Sequence, residues 1–307
     1  MRALVTGCAG FIGSHVTEKL LMQGYEVSGI DCFTDNYARE IKEVNVSNAL
    51  KDKKFEFIEN DILEMGKFPE VDYVFHQAAQ AGVRASWGKE FTTYTRNNIE
   101  ATQRLLEFYR DRKLKKFIYA SSSSVYGDTE LPMREVSLLK PFSPYGVSKL
   151  AGEQLCYLYW KNYGIPIISL RYFTVYGPRQ RPDMAINKFT SAIIKEEEII
   201  VFGDGTQTRS FTFISDVVEA NILAARSNIE GEVFNIGAEE KIDVNELIRA
   251  IEKIVGKRAR IRYIEKQKGD VRDTRADINK AIHELDWRPE IAIHQGLSMF
   301  VEWLKET

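Results

Sequence analysis

The chain is short of cysteine, histidine, surplus charge and long apolar runs, and each shortage removes a class of protein. Its three cysteines, Cys8, Cys32 and Cys156, are an odd number lying 24 and 124 residues apart, which suits neither a disulfide framework nor a metal site. The expected compartment is a reducing cytoplasm. His15, His76, His283 and His294 lack metal-ligand spacing as well and are read as structural. Lys+Arg 42 against Asp+Glu 44 leave a net charge of −2, so no basic field calls for nucleic acid. The apolar runs are broken by glycine or charge, and none approaches the roughly 20 residues that cross a bilayer. Met1-Arg2-Ala3-Leu4-Val5 meets Gly7 too early to form a signal-peptide core. Repeats and low-complexity tracts are absent, and Lys195-Glu196-Glu197-Glu198 reads as a solvated helix end.

What is present is an ordinary globular composition, 44% apolar and 28% charged over 307 residues, or two domains' worth at about 150 residues each. The first 170 or so residues alternate short β-rich apolar runs with longer amphipathic stretches. Strands are predicted at 3–6, 26–30, 55–58, 71–75, 116–120 and 167–170. Between them Ile12, Val16 and Leu20, and later Ala101, Leu105 and Tyr109, recur every four residues and so line helical faces. This predicts an α/β fold: a doubly wound parallel sheet with helices on both faces. After Arg171 the runs shorten, with a strand piece at 200–202. The stretch 211–235 reads strand, helix, strand, as though the chain returns to the large sheet, before helices at 244–255 and 294–305. The expected division is a nucleotide-binding domain of residues 1–172 plus about 211–235, and a smaller substrate domain of about 173–210 plus 236–307.

Directly after the first strand comes Thr6-Gly7-Cys8-Ala9-Gly10-Phe11-Ile12-Gly13. Its three glycines allow the backbone to approach a pyrophosphate, and a helix starting near Phe11 aims free amides and its positive end at the phosphates. Asp31 ends the second strand 18 residues after Gly13, where a carboxylate can bind adenosine ribose hydroxyls. Strand, glycine turn, helix and acid together point to a dinucleotide site rather than a merely tight turn. Asp31 would repel a ribose phosphate and no arginine follows it directly, so NAD is favoured over NADP. Cys8 fits the turn as a small packing residue.

Ser143-Pro144-Tyr145-Gly146-Val147-Ser148-Lys149 has an N-cap and a first-turn proline, and it places Tyr145 and Lys149 one turn apart on a single helical face. A phenol with an ordinary pKa near 10 is a poor base at neutral pH. A nearby ammonium and a helix N-terminus both favour the phenolate. Alone, this spacing also fits plain helix surface.

The glycine turn, the run Ser121-Ser122-Ser123-Ser124-Val125-Tyr126-Gly127 and the Tyr145/Lys149 pair, in this order, resemble the extended short-chain dehydrogenase/reductase family of nucleotide-sugar enzymes. The resemblance covers essentially the whole chain. It implies that Ser122 hydrogen-bonds the reacting sugar hydroxyl, that Tyr145 exchanges its proton, and that Lys149 holds the nicotinamide ribose and tunes Tyr145. It further implies cofactor contacts at Asp61, Ile62, Ala78, Ala79 and Asn98. Phe202-Gly203-Asp204-Gly205 with Arg209, and Gly269-Asp270-Val271-Arg272, are implied to hold the nucleoside diphosphate. A homodimer built on helices around 90–112 and 145–163 is the family expectation.

The resemblance also implies a first step in which the hydroxyl on sugar carbon 4 is oxidised. Dehydratases of the family carry an acidic pair after the catalytic Ser/Thr, and decarboxylases a glutamate at the second of those positions. Here Ser123 and Ser124 stand there, hydroxyls that cannot replace an acid at neutral pH. Epimerisation remains. Thr174 stands where epimerases of neutral hexoses usually have asparagine. The run Phe173-Thr174-Val175-Tyr176-Gly177-Pro178-Arg179-Gln180-Arg181-Pro182-Asp183-Met184, with Ala81-Gly82-Val83-Arg84-Ala85-Ser86-Trp87, is similar to the group acting on UDP-glucuronic acid. Arg84, Ser123, Ser124, Thr174 and Arg181 are then substrate-binding candidates, the guanidinium and hydroxyls suiting a carboxylate. A solvated loop or a diphosphate contact is the lesser alternative for Arg181, and a site built around a carboxylate is expected to leave it unpaired when a neutral sugar binds. A UDP-glucose 4-epimerase is the alternative enzyme. A non-catalytic NAD-sensing or scaffold protein would be expected to lack Tyr145 or Lys149.

Overall fold

The structure, a computed structural model, describes residues 1–265 and 271–306. Its first half comprises β1 (Arg2–Thr6), α1 (Phe11–Met22), β2 (Glu26–Asp31), α2 (Arg39–Val46), β3 (Phe55–Glu59), β4 (Tyr73–His76), α3 (Phe91–Tyr94), α4 (Ala101–Tyr109), β5 (Lys116–Ser122), α5 (Pro144–Tyr163) and β6 (Ile167–Tyr172). Then come β7 (Thr174–Tyr176), α6 (Ala185–Lys195), β8 (Glu198–Phe202), β9 (Thr208–Arg209), β10 (Phe211–Phe213), α7 (Ile214–Arg226), β11 (Glu232–Ile236), β12 (Ile242–Asp243), α8 (Val244–Val255), β13 (Arg260–Ile264), α9 (Asn279–Leu285) and α10 (Ile293–Glu306).

Seven parallel strands form the central sheet in the order β11-β6-β5-β4-β1-β2-β3. The reason is visible in the strands themselves: Ala3, Leu4 and Val5 are all fully buried, as are Val74 and Phe75, because helices cover both faces. Val16 and Leu20 of α1 are fully buried, as are Leu105 and Tyr109 of α4. Every predicted strand of the first 170 residues is present, most of them one or two residues longer than expected. The return to the sheet is narrower than predicted. Only β11 joins it, beside β6; β10 pairs with β7 in a separate two-stranded sheet.

Strand order reverses between β1 and β4, and crevices open at such switch points outside the strands' carboxyl ends. Thr6, Asp31, His76, Ser122 and Tyr172 are the last residues of five of these strands. The sheet thus delivers its chemically active groups to one edge.

Among the described residues, no helix is long and apolar enough to cross a membrane, and no group of three or more His, Cys, Asp or Glu is placed to hold a metal.

Candidate active site

A cleft of about 410 Å³ runs along the carboxyl edge of the sheet, within the size range of small-molecule and cofactor sites. At one end lie Gly7, Gly10, Phe11, Ile12, Gly13, Asp31, Asp61 and Ile62, with Ala78 and Ala79 beside them; at the other lie Ser122, Ser123, Ser124, Tyr145, Lys149, Thr174 and Arg181.

Two of the turn's glycines, Gly7 and Gly13, have no room for a side chain. Gly7 has φ +70°, and a Cβ there would stand 2.8 Å from the Ala78 nitrogen; at Gly13 it would stand 2.0 Å from the Gly7 oxygen. Helix α1 begins after Gly10 with no side-chain cap and no acid in its first turn, so its leading amides face the cleft without competition from the chain's own anions. Asp31 is fixed by the amides of Ala9 (3.0 Å) and Phe33 (2.9 Å). Burial raises its pKa, while those amides and the Lys42 charge act against the rise. An anion cradle and a nearby carboxylate are what a dinucleotide's pyrophosphate and ribose diol require, so the residues fit NAD.

Helix α5 starts as its sequence dictates: Ser143 caps it by accepting from the Gly146 amide at 3.1 Å, and Pro144 occupies its first turn. Lys149 is buried, donates to the Ala120 carbonyl at 2.8 Å and is depressed to about 7 by burial. Tyr145 is raised by burial, against which a Ser122 hydrogen bond and the Arg181 charge act. The cation that eases Tyr145 in this geometry is therefore Arg181. Tyr94 packs edge-on against Tyr145, with ring centroids 6.1 Å apart, and its hydroxyl is tied to the Gly82 carbonyl at 2.8 Å.

With that geometry in place the comparisons are direct. The model of the NAD dependent epimerase/dehydratase family matches residues 3–237. The chain belongs to this family. The UDP-glucuronic acid 4-epimerase of Bacillus cereus, solved with UDP-glucuronic acid and NAD, superposes with a TM-score of 0.97 at 44% identity, covering 100% of this chain and 99% of that one. An uncharacterized UDP-glucose epimerase, YtcB, of Bacillus subtilis is 43% identical over 99% of this chain and 98% of its own length. A UDP-glucuronate 4-epimerase of Thermodesulfobacterium geofontis is 40% identical over 99% and 96%. The first two carry different sugars in their names at nearly equal identity, so overall likeness does not choose the substrate.

Not every expected residue of this epimerase/dehydratase family member reaches the cleft. Asn97, not Asn98, lines it. Asn98 lies in a π-helical turn, Thr95–Glu100, where its side chain binds the Gln80 amide (2.7 Å), the Gln80 carbonyl (3.0 Å) and Ser148 Oγ (2.8 Å), and so braces the cleft wall against α5. Arg84 lies outside the lining, its guanidinium 4.1 Å over the Phe202 ring. Arg209 also lies outside, because the carbonyls of Thr208, Val271 and Arg272 absorb its donors at 2.7 to 2.8 Å. Arg272 points outward with 72% of its side chain exposed. Gly269 and Asp270 fall outside the described residues. Nor is Arg181 unpaired: it forms a two-pronged ion pair with Asp183 at 2.8 and 2.9 Å.

Sequence reasoning missed Thr34, Asn36, Tyr37 and Lys42, which also line the cleft. Lys42 is 3% exposed; its ammonium binds Thr34 and Asn36 and sits 4.5 Å over the Tyr37 ring. It lies in a run of charged helix residues, where nothing marks one lysine as buried.

Proposed function

We propose that the chain interconverts UDP-glucuronate and UDP-galacturonate by oxidation and re-reduction at sugar carbon 4. The carrying observation is the distribution of charge in the cleft. Among the described lining residues, the only carboxylates are Asp31 and Asp61, both at the nucleotide end; the sugar end presents Ser122, Ser123, Ser124, Thr174, Tyr145 and Arg181. Nothing there can drive elimination of water as an acid pair would. The cation and hydroxyls suit a sugar carboxylate.

NAD, when bound, takes up the carbon-4 hydride and gives it back. Ser122 orients the carbon-4 hydroxyl and Tyr145 receives its proton, which it returns when the ketone is reduced on its other face. Arg181 provides positive charge near the tyrosine oxygen, and Lys149, held in position by the Ala120 carbonyl, is assigned to the nicotinamide ribose. The 4-keto form of a uronic acid is a β-keto acid that loses carbon dioxide when the bond to its carboxylate stands perpendicular to the ketone plane. Arg181, Ser123, Ser124 and Thr174 keep that carboxylate out of this alignment while the ring turns. Arg84 and Arg272 are assigned to the uridine diphosphate, with Arg209 bracing the Val271–Arg272 backbone through its carbonyls. The test is Arg181→Ala on UDP-glucuronate and UDP-glucose: activity is expected to fall selectively on the acidic sugar, and an equal fall on both would sink the assignment.

A second reading, a UDP-glucose 4-epimerase, is favoured by one observation: Asp183 already neutralises Arg181, so the site tolerates a neutral sugar.

The same reading takes residues 1–172 with about 211–235 as the NAD-binding unit and about 173–210 with 236–307 as the sugar-nucleotide unit. A homodimer is supported by Val147, Tyr157, Leu158 and Tyr163, which leave α5 with an apolar surface about half exposed. A cytoplasmic location is supported by the three free cysteines, of which Cys32 is exposed.

A further inference from the structure

The side-on face of Arg181 is turned toward a residue of its own chain. Nε and one terminal nitrogen meet the two oxygens of Asp183, and the arginine side chain is only 19% exposed against 50% for the aspartate. The backbone on which this happens is pinned. Gln180, 2% exposed, receives the amide and side-chain nitrogen of Asn187 at 3.1 and 2.7 Å and donates to the Val175 carbonyl at 3.0 Å. Arg179 is tied to Glu18 of α1 at 2.7 Å, and the Met184 amide donates to the Arg181 carbonyl at 3.1 Å. In such a loop the side-chain pairing can change more readily than the chain path.

One side-on face of a guanidinium takes one carboxylate at a time. Asp183 presents the same planar pair of oxygens as a uronate, and unlike Arg181 it does not line the cleft. Taking the uronate reading as its premise, we infer that Asp183 is a specificity-determining residue, an internal competitor that the substrate's carboxylate displaces from Arg181. Uronate binding then exchanges one ion pair for another, so its net gain is small. A neutral sugar leaves the Arg181–Asp183 pair intact and meets no stranded cation. Asp183 thus lowers selectivity. Burial raises the Asp183 pKa, but the hydrogen bonds and charge of Arg181 outweigh it, so the competitor stays ionised at neutral pH.

The test measures binding of UDP-glucuronate and UDP-glucose by calorimetry in a Tyr145→Phe background, where turnover does not interfere. Adding Asp183→Asn should tighten UDP-glucuronate about threefold or more, the scale of a half-exposed ion pair, and leave UDP-glucose unchanged. Asp183→Glu should restore the parent affinity. In an Arg181→Gln background Asp183→Asn should have no effect. Weaker or unchanged uronate binding in Asp183→Asn, with the parent still preferring uronate, overturns the competitor role alone, since a residue that merely positions Arg181 gives that result. A parent that does not prefer UDP-glucuronate overturns the uronate reading and this inference with it.

Discussion

Tyr145 is partly buried with its ring edge-on to Tyr94, and the loss of solvent raises its pKa and disfavours a free-standing base; Ser122 and Arg181 act in the opposite direction. Tyr145→Phe is therefore expected to cut turnover at least about 100-fold while UDP-sugar affinity stays near the parent value, because the tyrosine moves a proton and does not hold the diphosphate. Steady-state kinetics with a binding titration decides it; near-normal epimerisation would require another proton carrier. Gly13 offers a second test at this scale. A Cβ there would stand 2.0 Å from the Gly7 oxygen, a backbone atom that cannot step aside without opening the turn, whereas one at Gly66 meets nothing within 4 Å. Gly13→Ala should lose copurifying NAD, assayed in an acid extract, and Gly66→Ala should keep it. Retention of NAD by Gly13→Ala would mean that the turn does not form the cradle.

Between elements, a directed chain of hydrogen bonds joins β1, β4 and α4. The Ala78 amide donates to Thr6 Oγ1 (3.2 Å), which in turn donates to His76 Nδ1 (2.7 Å). His76 Nε2 donates to Thr102 Oγ1 (2.9 Å), and Thr102 donates to the Asn98 carbonyl (2.7 Å). This order leaves His76 neutral, with its proton on Nε2. Burial, with a smaller push from Lys149, depresses it to about 3. Above an ordinary histidine value near 6.5 both folded and unfolded chains are neutral here. As pH falls below that, the unfolded chain binds a proton that the fold refuses, so His76 alone should remove about 1.4 kcal/mol of stability per pH unit down to about pH 3. Urea unfolding at pH 7, 6 and 5 measures the slope, and an NMR titration of His76 near 6.5 would contradict it. None of this was legible in the sequence, where His76 is simply a strand-end histidine. The strands were legible, because a parallel sheet covered on both faces needs near-continuous apolar runs, and so were the α5 cap and the glycine turn, whose signals are local. The π-turn at Thr95–Glu100, the burial of Lys42 and the capture of Arg209 by backbone carbonyls depend on tertiary neighbours that no spacing encodes. Asp183 stood two residues from Arg181 in plain view, but adjacency does not disclose a pairing.

For the whole molecule, the proposed NAD and sugar sites share one cleft at the switch point of the sheet, and among the described residues no carboxylate lines the sugar end, Asp183 standing behind Arg181. A chain so built should neither consume NAD nor eliminate water or carbon dioxide from its substrate. The measurement that bears most directly on this is incubation of the purified protein with UDP-glucuronate, with products followed by NMR alongside released carbon dioxide and 340 nm absorbance. The account predicts UDP-galacturonate, no carbon dioxide and no NADH accumulating with product. UDP-pentose with carbon dioxide, or inert UDP-glucuronate beside rapidly epimerised UDP-glucose, would contradict it.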